Sequence, residues 1–193
     1  MPLELPHQID GDRLIIKKPD PTFQLATDMF SLVDQSRNHI LPWLDWASVE
    51  NTAVAEDCFV FLSGIDKRWK NDECYEYLIH DRQTHQIMGG LSVVLRDKRH
   101  FGVVELAFWL GKPYVGRGLM SEAVHLIEPI LWKSGIQRIV IRNDVKNTAS
   151  ANVARRCGYT LEGIARRERY STTKKAWHDC NVFAKIQDHE VSQ

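Results

Sequence analysis

Residues 105–121 read E-L-A-F-W-L-G-K-P-Y-V-G-R-G-L-M-S. Leu106–Leu110 is an apolar run of the length expected for a buried strand. A short loop then carries Gly116-Arg117-Gly118, and helical periodicity continues to about Lys133. Strand, glycine loop and helix start together make an anion cradle. Glycines remove side-chain obstruction, so backbone N–H groups converge on phosphate oxygens at the positive end of a helix. Arg117 adds a permanent cation. A Gly-x-Gly pair alone also fits a tight turn that binds nothing.

The residues downstream extend the pattern. Ile136-Gln137-Arg138-Ile139-Val140-Ile141 is a β-type run, followed by Asn143 and by Asn147-Thr148-Ala149-Ser150. A short helix is expected at about 148–156, ending at Cys157-Gly158-Tyr159, where Gly158 fits a helix C-terminal cap before a further strand. With these elements the chain resembles the GNAT superfamily of acetyl-CoA-dependent N-acetyltransferases, and within it the ribosomal-protein branch that modifies N-terminal serine or alanine. The family's phosphate loop corresponds to Tyr114-Val115-Gly116-Arg117-Gly118-Leu119-Met120, and its Asn-x-x-Ser…Gly-(Phe/Tyr) element to Asn147, Ser150, Gly158 and Tyr159. The likeness extends to Arg13–Ile16, to Leu41-Pro42-Trp43-Leu44-Asp45-Trp46, to Leu161-Glu162-Gly163 and to Trp177-His178-Asp179…Phe183-Ala184.

The chain has 193 residues, which is most simply one domain over 1–193. Its formal net charge is zero but unevenly spread. Residues 50–81 carry Glu50, Glu56, Asp57, Asp66, Asp72, Glu73, Glu76 and Asp81 against Lys67, Arg68 and Lys70, whereas 133–175 is strongly basic. The basic part surrounds the proposed phosphate loop and suits an anionic cofactor. The acidic part either attracts a cationic acceptor or is an ordinary solvated face. Cys58, Cys74, Cys157 and Cys180 show no C-x-x-C spacing and read as reduced thiols, neither disulfides nor a zinc site. His178-Asp179-Cys180 looks like a metal triplet, but adjacent residues of a strand face opposite ways. No secretory segment and no apolar run near the roughly 20 residues of a membrane span are visible, so a cytoplasmic protein is expected, with no membrane and no direct nucleic-acid partner.

The coarse order is a strand at 12–18, a helix at 21–35, a loop at 38–50, a helix at 52–69, and strands at 74–80, 86–96 and 102–110. A helix at 117–133 follows, with Leu119, Ala123, Ile127 and Leu131 on one stripe and a bend at Pro129. Then come a strand at 136–142, the 148–156 helix, and strands at 159–170 and 177–186. This predicts the α/β (α+β) class: a mixed, largely antiparallel central sheet flanked by helices.

The resemblance implies acetyl-CoA as co-substrate, no metal, and direct attack by an amine in a ternary complex. It implies that the amides of Val115, Gly116, Arg117, Gly118 and Leu119, with Tyr114 beside them, hold the pyrophosphate. The resemblance further implies that the end of the strand at Phe108, Trp109 and Leu110 splays from its neighbour, pairs with the pantetheine arm, and turns one amide near Phe108 or Trp109 to the thioester oxygen. Asn147 is the family's side-chain contact to the pantetheine; alternatively it starts the 148–156 helix as an Asx turn. Two positions depart from the wider family. Pro113 stands where Gln or Arg is usual, and Ala154 where a tyrosine acid is usual. Ser150 is then the candidate acid, or a helix-start hydroxyl. Candidate bases are Glu105, Glu168, with Arg169 adjacent in an uncertain register, and Glu162, which reads as structural. An α-amine with pKa near 8 costs roughly 1.4 kcal/mol to deprotonate at neutral pH, a lysine roughly 4–5 kcal/mol. A modest base therefore suits a peptide N-terminus, and the resemblance to the ribosomal branch implies that of a ribosomal protein. Trp43, Trp46 and Trp69 line an acceptor groove or, more simply, the core.

Other readings remain. Gly116-x-Gly118-x-x-Ser121 imitates a dinucleotide fingerprint, but Gly111–Val115 separate the strand from the first glycine, whereas that turn follows its strand at once. A non-catalytic acyl-CoA sensor would carry the same loop, and a polyamine or antibiotic amine is an alternative acceptor. A homodimer is compatible with the chain.

Overall fold

A computed structural model of the protein describes residues 3–95 and 102–187. The chain opens with two short strands, β1 (Gln8–Asp10) and β2 (Leu14–Lys17). Thr22 then starts α1 (Phe23–Ile40), its hydroxyl accepting the Leu25 N–H at 3.1 Å. Ala26, Met29, Leu32, Val33, Ser36 and Ile40 form the buried face. That stripe carries the helix past the expected end at 35. The expected helix over 52–69 is two helices, α2 (Ala55–Ser63) and α3 (Ile65–Lys70), parted at Gly64. Asp57 anchors the start of α2 by accepting the amides of Ala53 and Val54 at 2.8 and 3.1 Å.

The central strands are β3 (Cys74–Asp81), β4 (Ile87–Val94) and β5 (Val103–Leu110). The expected strand at 86–96 thus ends at Val94, and Arg96 lies outside the described residues. Next come α4 (Leu119–Lys133), β6 (Arg138–Asp144), α5 (Thr148–Arg156), β7 (Thr160–Ser171) and β8 (Ala176–Ile186). The sheet order is β1-β2-β3-β4-β5-β6-β8-β7, antiparallel throughout except for the parallel β5–β6 pair. The mixed, largely antiparallel sheet flanked by helices is the architecture expected from the element order.

The predicted stripe of α4 is the one buried: Leu119, Ala123, Ile127 and Leu131 are at most 2% exposed. They pack in one core with Leu14, Ile16, Val104, Leu106, Ile139 and Ile141 of the sheet. The helix runs through Pro129 to Lys133. Trp69 also belongs to the core, edge-on to Tyr75 and Tyr77 at 4.9 and 5.2 Å. All four cysteines are free, and burial pushes the Cys58 thiol up to about 11 and the Cys74 thiol to about 12. Among the described residues no helix is long and apolar enough to cross a membrane.

Candidate functional site

The site begins where the one parallel pair fails. Val103, Val104 and Glu105 pair with Arg138, Ile139 and Val140, but β5 runs on to Leu110 and β6 to Asp144 without further pairing. The strands part and leave a wedge. Backbone alternation decides which groups face it. The Gly102 carbonyl accepts from Gln137 and Arg138 on the β6 side, and the Gly111 N–H donates to Met88 on the β4 side. Even-numbered positions therefore present N–H and C=O toward the wedge: Phe108 and Leu110. Trp109 points its backbone at β4, and its ring packs edge-on against Trp46 at 5.5 Å. Of the two amides named for the thioester oxygen, geometry favours Phe108.

Beside the wedge lies the glycine loop. Lys112–Tyr114 makes a 3-10 turn with Pro113 inside it, and Val115 follows in extended conformation. Gly116 and Gly118 have φ of +76° and +75°, a region that side chains other than glycine's rarely tolerate. Gly118 is the N-cap of α4 and supplies no side-chain cap, so the amides of the first turn, from Leu119 on, carry none. A Cβ at Gly116 would meet nothing within 4 Å, so the space over the loop is open. An uncapped helix start under an open loop of two left-handed glycines fits the pyrophosphate of a coenzyme A ester.

One residue not anticipated in this role holds the loop. The Arg13 guanidinium donates to the Arg117 carbonyl at 3.0 Å and to Glu122 of α4 at 2.7 Å, and its backbone N–H also donates to Glu122 at 3.0 Å. This leaves the Arg117 side chain exposed at the loop surface. Its signal in sequence was only its place in the family likeness.

Asn147 caps α5, its side-chain oxygen accepting the Ser150 N–H at 3.1 Å. This is the helix-start arrangement weighed above. Ser150 is half-buried in the first turn of α5, and the cap uses its N–H, not its hydroxyl. Ala154 is fully buried.

On the opposite face of the sheet from α4, polar side chains converge. Arg142 pairs with Glu105 at 2.5 Å and reaches Glu168 at 3.6 Å, so both candidate bases share one guanidinium. A bulge in β7 makes this possible. The ladder shifts between Ala165 and Arg169, Arg167 takes φ of +51°, and its N–H donates to Asp179 at 2.8 Å. The excursion brings Glu168 to Arg142 and leaves Arg169 opposite His178. Glu162 stands apart in a bidentate pair with Arg138, consistent with a structural carboxylate.

At the end of β6, Asp144 is almost fully buried. Burial alone would raise its pKa, but the Lys146 N–H, the His178 ring and Arg169 hold it below the usual carboxylate range. His178 Nδ1 bonds Asp144 Oδ2, and His178 Nε2 is buried without a hydrogen-bond partner among the described residues. His178 lines a cavity with Trp43, Lys146, Lys174 and Trp177. The segment carrying Trp43 is strapped to the β7–β8 turn: Asp45 accepts from Ser171, Thr172 and Thr173, Lys174 Nζ donates to Pro42 O at 2.7 Å, and Arg169 donates to Trp43 O. The tryptophans thus divide, with Trp69 in the core, Trp46 against the β5 edge and Trp43 on the cavity.

The acidic run over 50–81 is largely committed within the fold. Asp57 anchors α2, Asp66 pairs with Lys18, Glu76 with Arg68, and Asp81 accepts the amides of Gln83 and Thr84.

Residues 13–160 match the acetyltransferase (GNAT) domain. The ribosomal-protein-serine acetyltransferase of Escherichia coli (strain K12) is 32% identical over 87 residues, which are 45% of this chain and 48% of that protein. This match therefore spans about half of that relative's length. Two solved structures share the fold. The microcin C7 self-immunity acetyltransferase MccE, in complex with acetyl-CoA and AMP, superposes with TM-score 0.81 at 22% identity, covering 91% of this chain and 93% of that one. The ribosomal L7/L12 α-N-protein acetyltransferase RimL, in complex with coenzyme A, superposes with TM-score 0.81 at 24% identity, covering 93% and 97%.

Proposed function

Because this chain belongs to the GNAT acetyltransferase family, we propose that it transfers the acetyl group of acetyl-CoA to the α-amine at the N-terminus of a protein, most specifically a ribosomal protein. The observation that carries the reading is the parting of β5 from β6 after Glu105 and Val140, directly beside the open glycine loop. The acceptor is inferred from the ribosomal-protein-serine enzyme of E. coli. The described residues are read as a single N-acetyltransferase domain.

Acetyl-CoA supplies an acetyl thioester already activated for attack by an amine. The chain's residues bind and orient it. Amides of Val115–Leu119 at the start of α4 hold the pyrophosphate, and Arg117 adds positive charge at the loop surface. Phe108 and Leu110 offer their N–H and C=O groups to the pantetheine arm as a β-strand would. The Phe108 N–H is the donor for the carbonyl oxygen, whose negative charge grows during transfer and is best met by a fixed dipole. The Ser150 hydroxyl, at the start of α5, supplies a proton to the departing sulfur. Glu105 and Glu168 both pair with Arg142, and these carboxylates serve as an ionic wall on the acceptor side.

The test is turnover of acetyl-CoA with a panel of peptides beginning with Ser or Ala, lysine peptides blocked at the N-terminus, and small polyamines. Turnover with the first group supports the reading. Turnover confined to polyamines moves the acceptor to a small amine, and binding of acetyl-CoA without turnover makes the chain a sensor.

A further inference from the structure

The Asp144–His178 pair has the form of a built proton acceptor that the preceding mechanism leaves unused. His178 stands on β8 opposite Arg169, on the same sheet face as Glu105, Arg142 and Trp109, where an acceptor approaches the open wedge. Asp144 is the last residue of β6, the strand that forms one wall of that wedge. Its carboxylate takes the hydrogen bond of His178 Nδ1, and a carboxylate held there fixes the tautomer with the proton on Nδ1. The Nε2 lone pair is then bare. Among the described residues Nε2 has no hydrogen-bond partner, and almost none of its own surface is exposed. A buried polar atom left unpaired is costly, and in native proteins such an atom calls for a functional or ligand-based reason. The ring itself lines a cavity walled by Trp43 and Trp177, where such a ligand has room.

We propose that His178 is the general base that takes a proton from the acceptor amine, with Asp144 as its positioning residue. This rests on the acetyl-transfer reading above. The arriving α-ammonium gives one proton to Nε2, directly or across one water, and the imidazolium keeps its Nδ1–H on Asp144. The freed nitrogen pair forms the C–N bond to the acetyl carbonyl carbon. The C–S bond breaks with its electron pair on sulfur, and the second nitrogen proton ends on that sulfur. His178 returns its proton to solvent. Charged and titratable groups around the ring come from each neighbouring element: Asp144 and Lys146 from β6 and its exit, Arg169 from β7, Lys174 from the β7–β8 turn, and Asp179 and Cys180 from its own strand.

The experiment compares His178→Gln with wild type across pH, using whichever amine of the panel is turned over best. Expected at pH 7 is a loss in kcat/KM for the amine of about 100-fold, with acetyl-CoA affinity unchanged. The loss should shrink at least tenfold by pH 9.5, where the free amine is already abundant. A loss below threefold, or one of equal size at every pH, overturns the proposal while acetyl transfer stands. Wild-type inactivity toward every amine overturns both. An independent readout needs no co-substrate: ring nitrogen NMR of the wild-type protein, followed across pH, is expected to find the neutral form of His178 protonated at Nδ1 and bare at Nε2. A proton resting on Nε2 with Nδ1 bare overturns the assignment even if the variant fails to fold.

Discussion

Asp45 accepts the Ser171 hydroxyl at 2.8 Å, joining the segment after α1 to the β7–β8 turn. The same carboxylate receives the Thr172 N–H at 2.7 Å and the Thr173 hydroxyl at 3.0 Å. One short side chain thus holds Trp43 in place beside the cavity. Asp45→Ala is expected to cost about 1 kcal/mol of stability, a partly exposed network being worth less than a buried one. It should raise the acceptor KM and leave acetyl-CoA affinity unchanged, as read by calorimetry and initial rates. An unchanged acceptor KM would separate the strap from the acceptor side.

The same contacts set an acid limit. Burial would raise the Asp45 carboxyl, but hydrogen bonds from Ser171, Thr172 and Thr173 bring it below its ordinary value. Asp144 is lowered in the same sense. A carboxylate depressed in the folded state contributes stability that is present above its unfolded pKa, about 4, and is lost as pH falls through the folded value. Melting temperature should therefore hold from pH 7 to about 5 and fall more steeply below about 4. Asp45→Asn should flatten that acid limb. An identical limb in the variant would assign it to other carboxylates.

Gly116→Asp is expected to remove acetyl-CoA binding. The position is open, so the new side chain meets no atom of the protein, but it sets a carboxylate over the helix start where phosphate is to sit. A left-handed φ at a non-glycine residue costs about 1–2 kcal/mol, which in a chain of this size is a shift of a few degrees in Tm. Undiminished affinity in a folded variant would move the cradle elsewhere.

Ser150→Ala should lower kcat with little change in acetyl-CoA affinity, because the α5 cap uses the Ser150 N–H and not its hydroxyl. Leu131→Ala, by contrast, opens a cavity under α4 at a fully buried site and should cost about 2–5 kcal/mol while leaving activity per folded molecule intact. The pair separates chemistry from packing.

What the sequence disclosed and what it hid follow the range of the interactions. The α4 stripe and the two left-handed glycines are local patterns, and so is the Gly158 cap after α5; each is legible within a few residues. The split of the 52–69 helix at Gly64 was hidden because apolar periodicity continues across it. Strand β1 has three residues and one buried side chain, too few for alternation to register. The Arg13 latch spans 104 and 109 positions of sequence, and the Asp144–His178 bond spans 34. Nothing near either residue announces its partner. The β7 bulge that sends Glu168 to Arg142 depends on Asp179 of the next strand. Whether the acidic run attracts an acceptor or is an ordinary face was open in sequence because several of its partners, among them Lys18 and the Gln83 and Thr84 amides, lie outside the run.

The central claim is acetyl transfer to a protein's α-amine, and mass spectrometry of the product tests it most directly. Peptides beginning with Ser or Ala and carrying internal lysines are incubated with acetyl-CoA and the enzyme, then fragmented. The account predicts one acetyl group on the first nitrogen with the lysines unmodified. Acetylation confined to lysine side chains, or product formed only from small amines in the same panel, would contradict it.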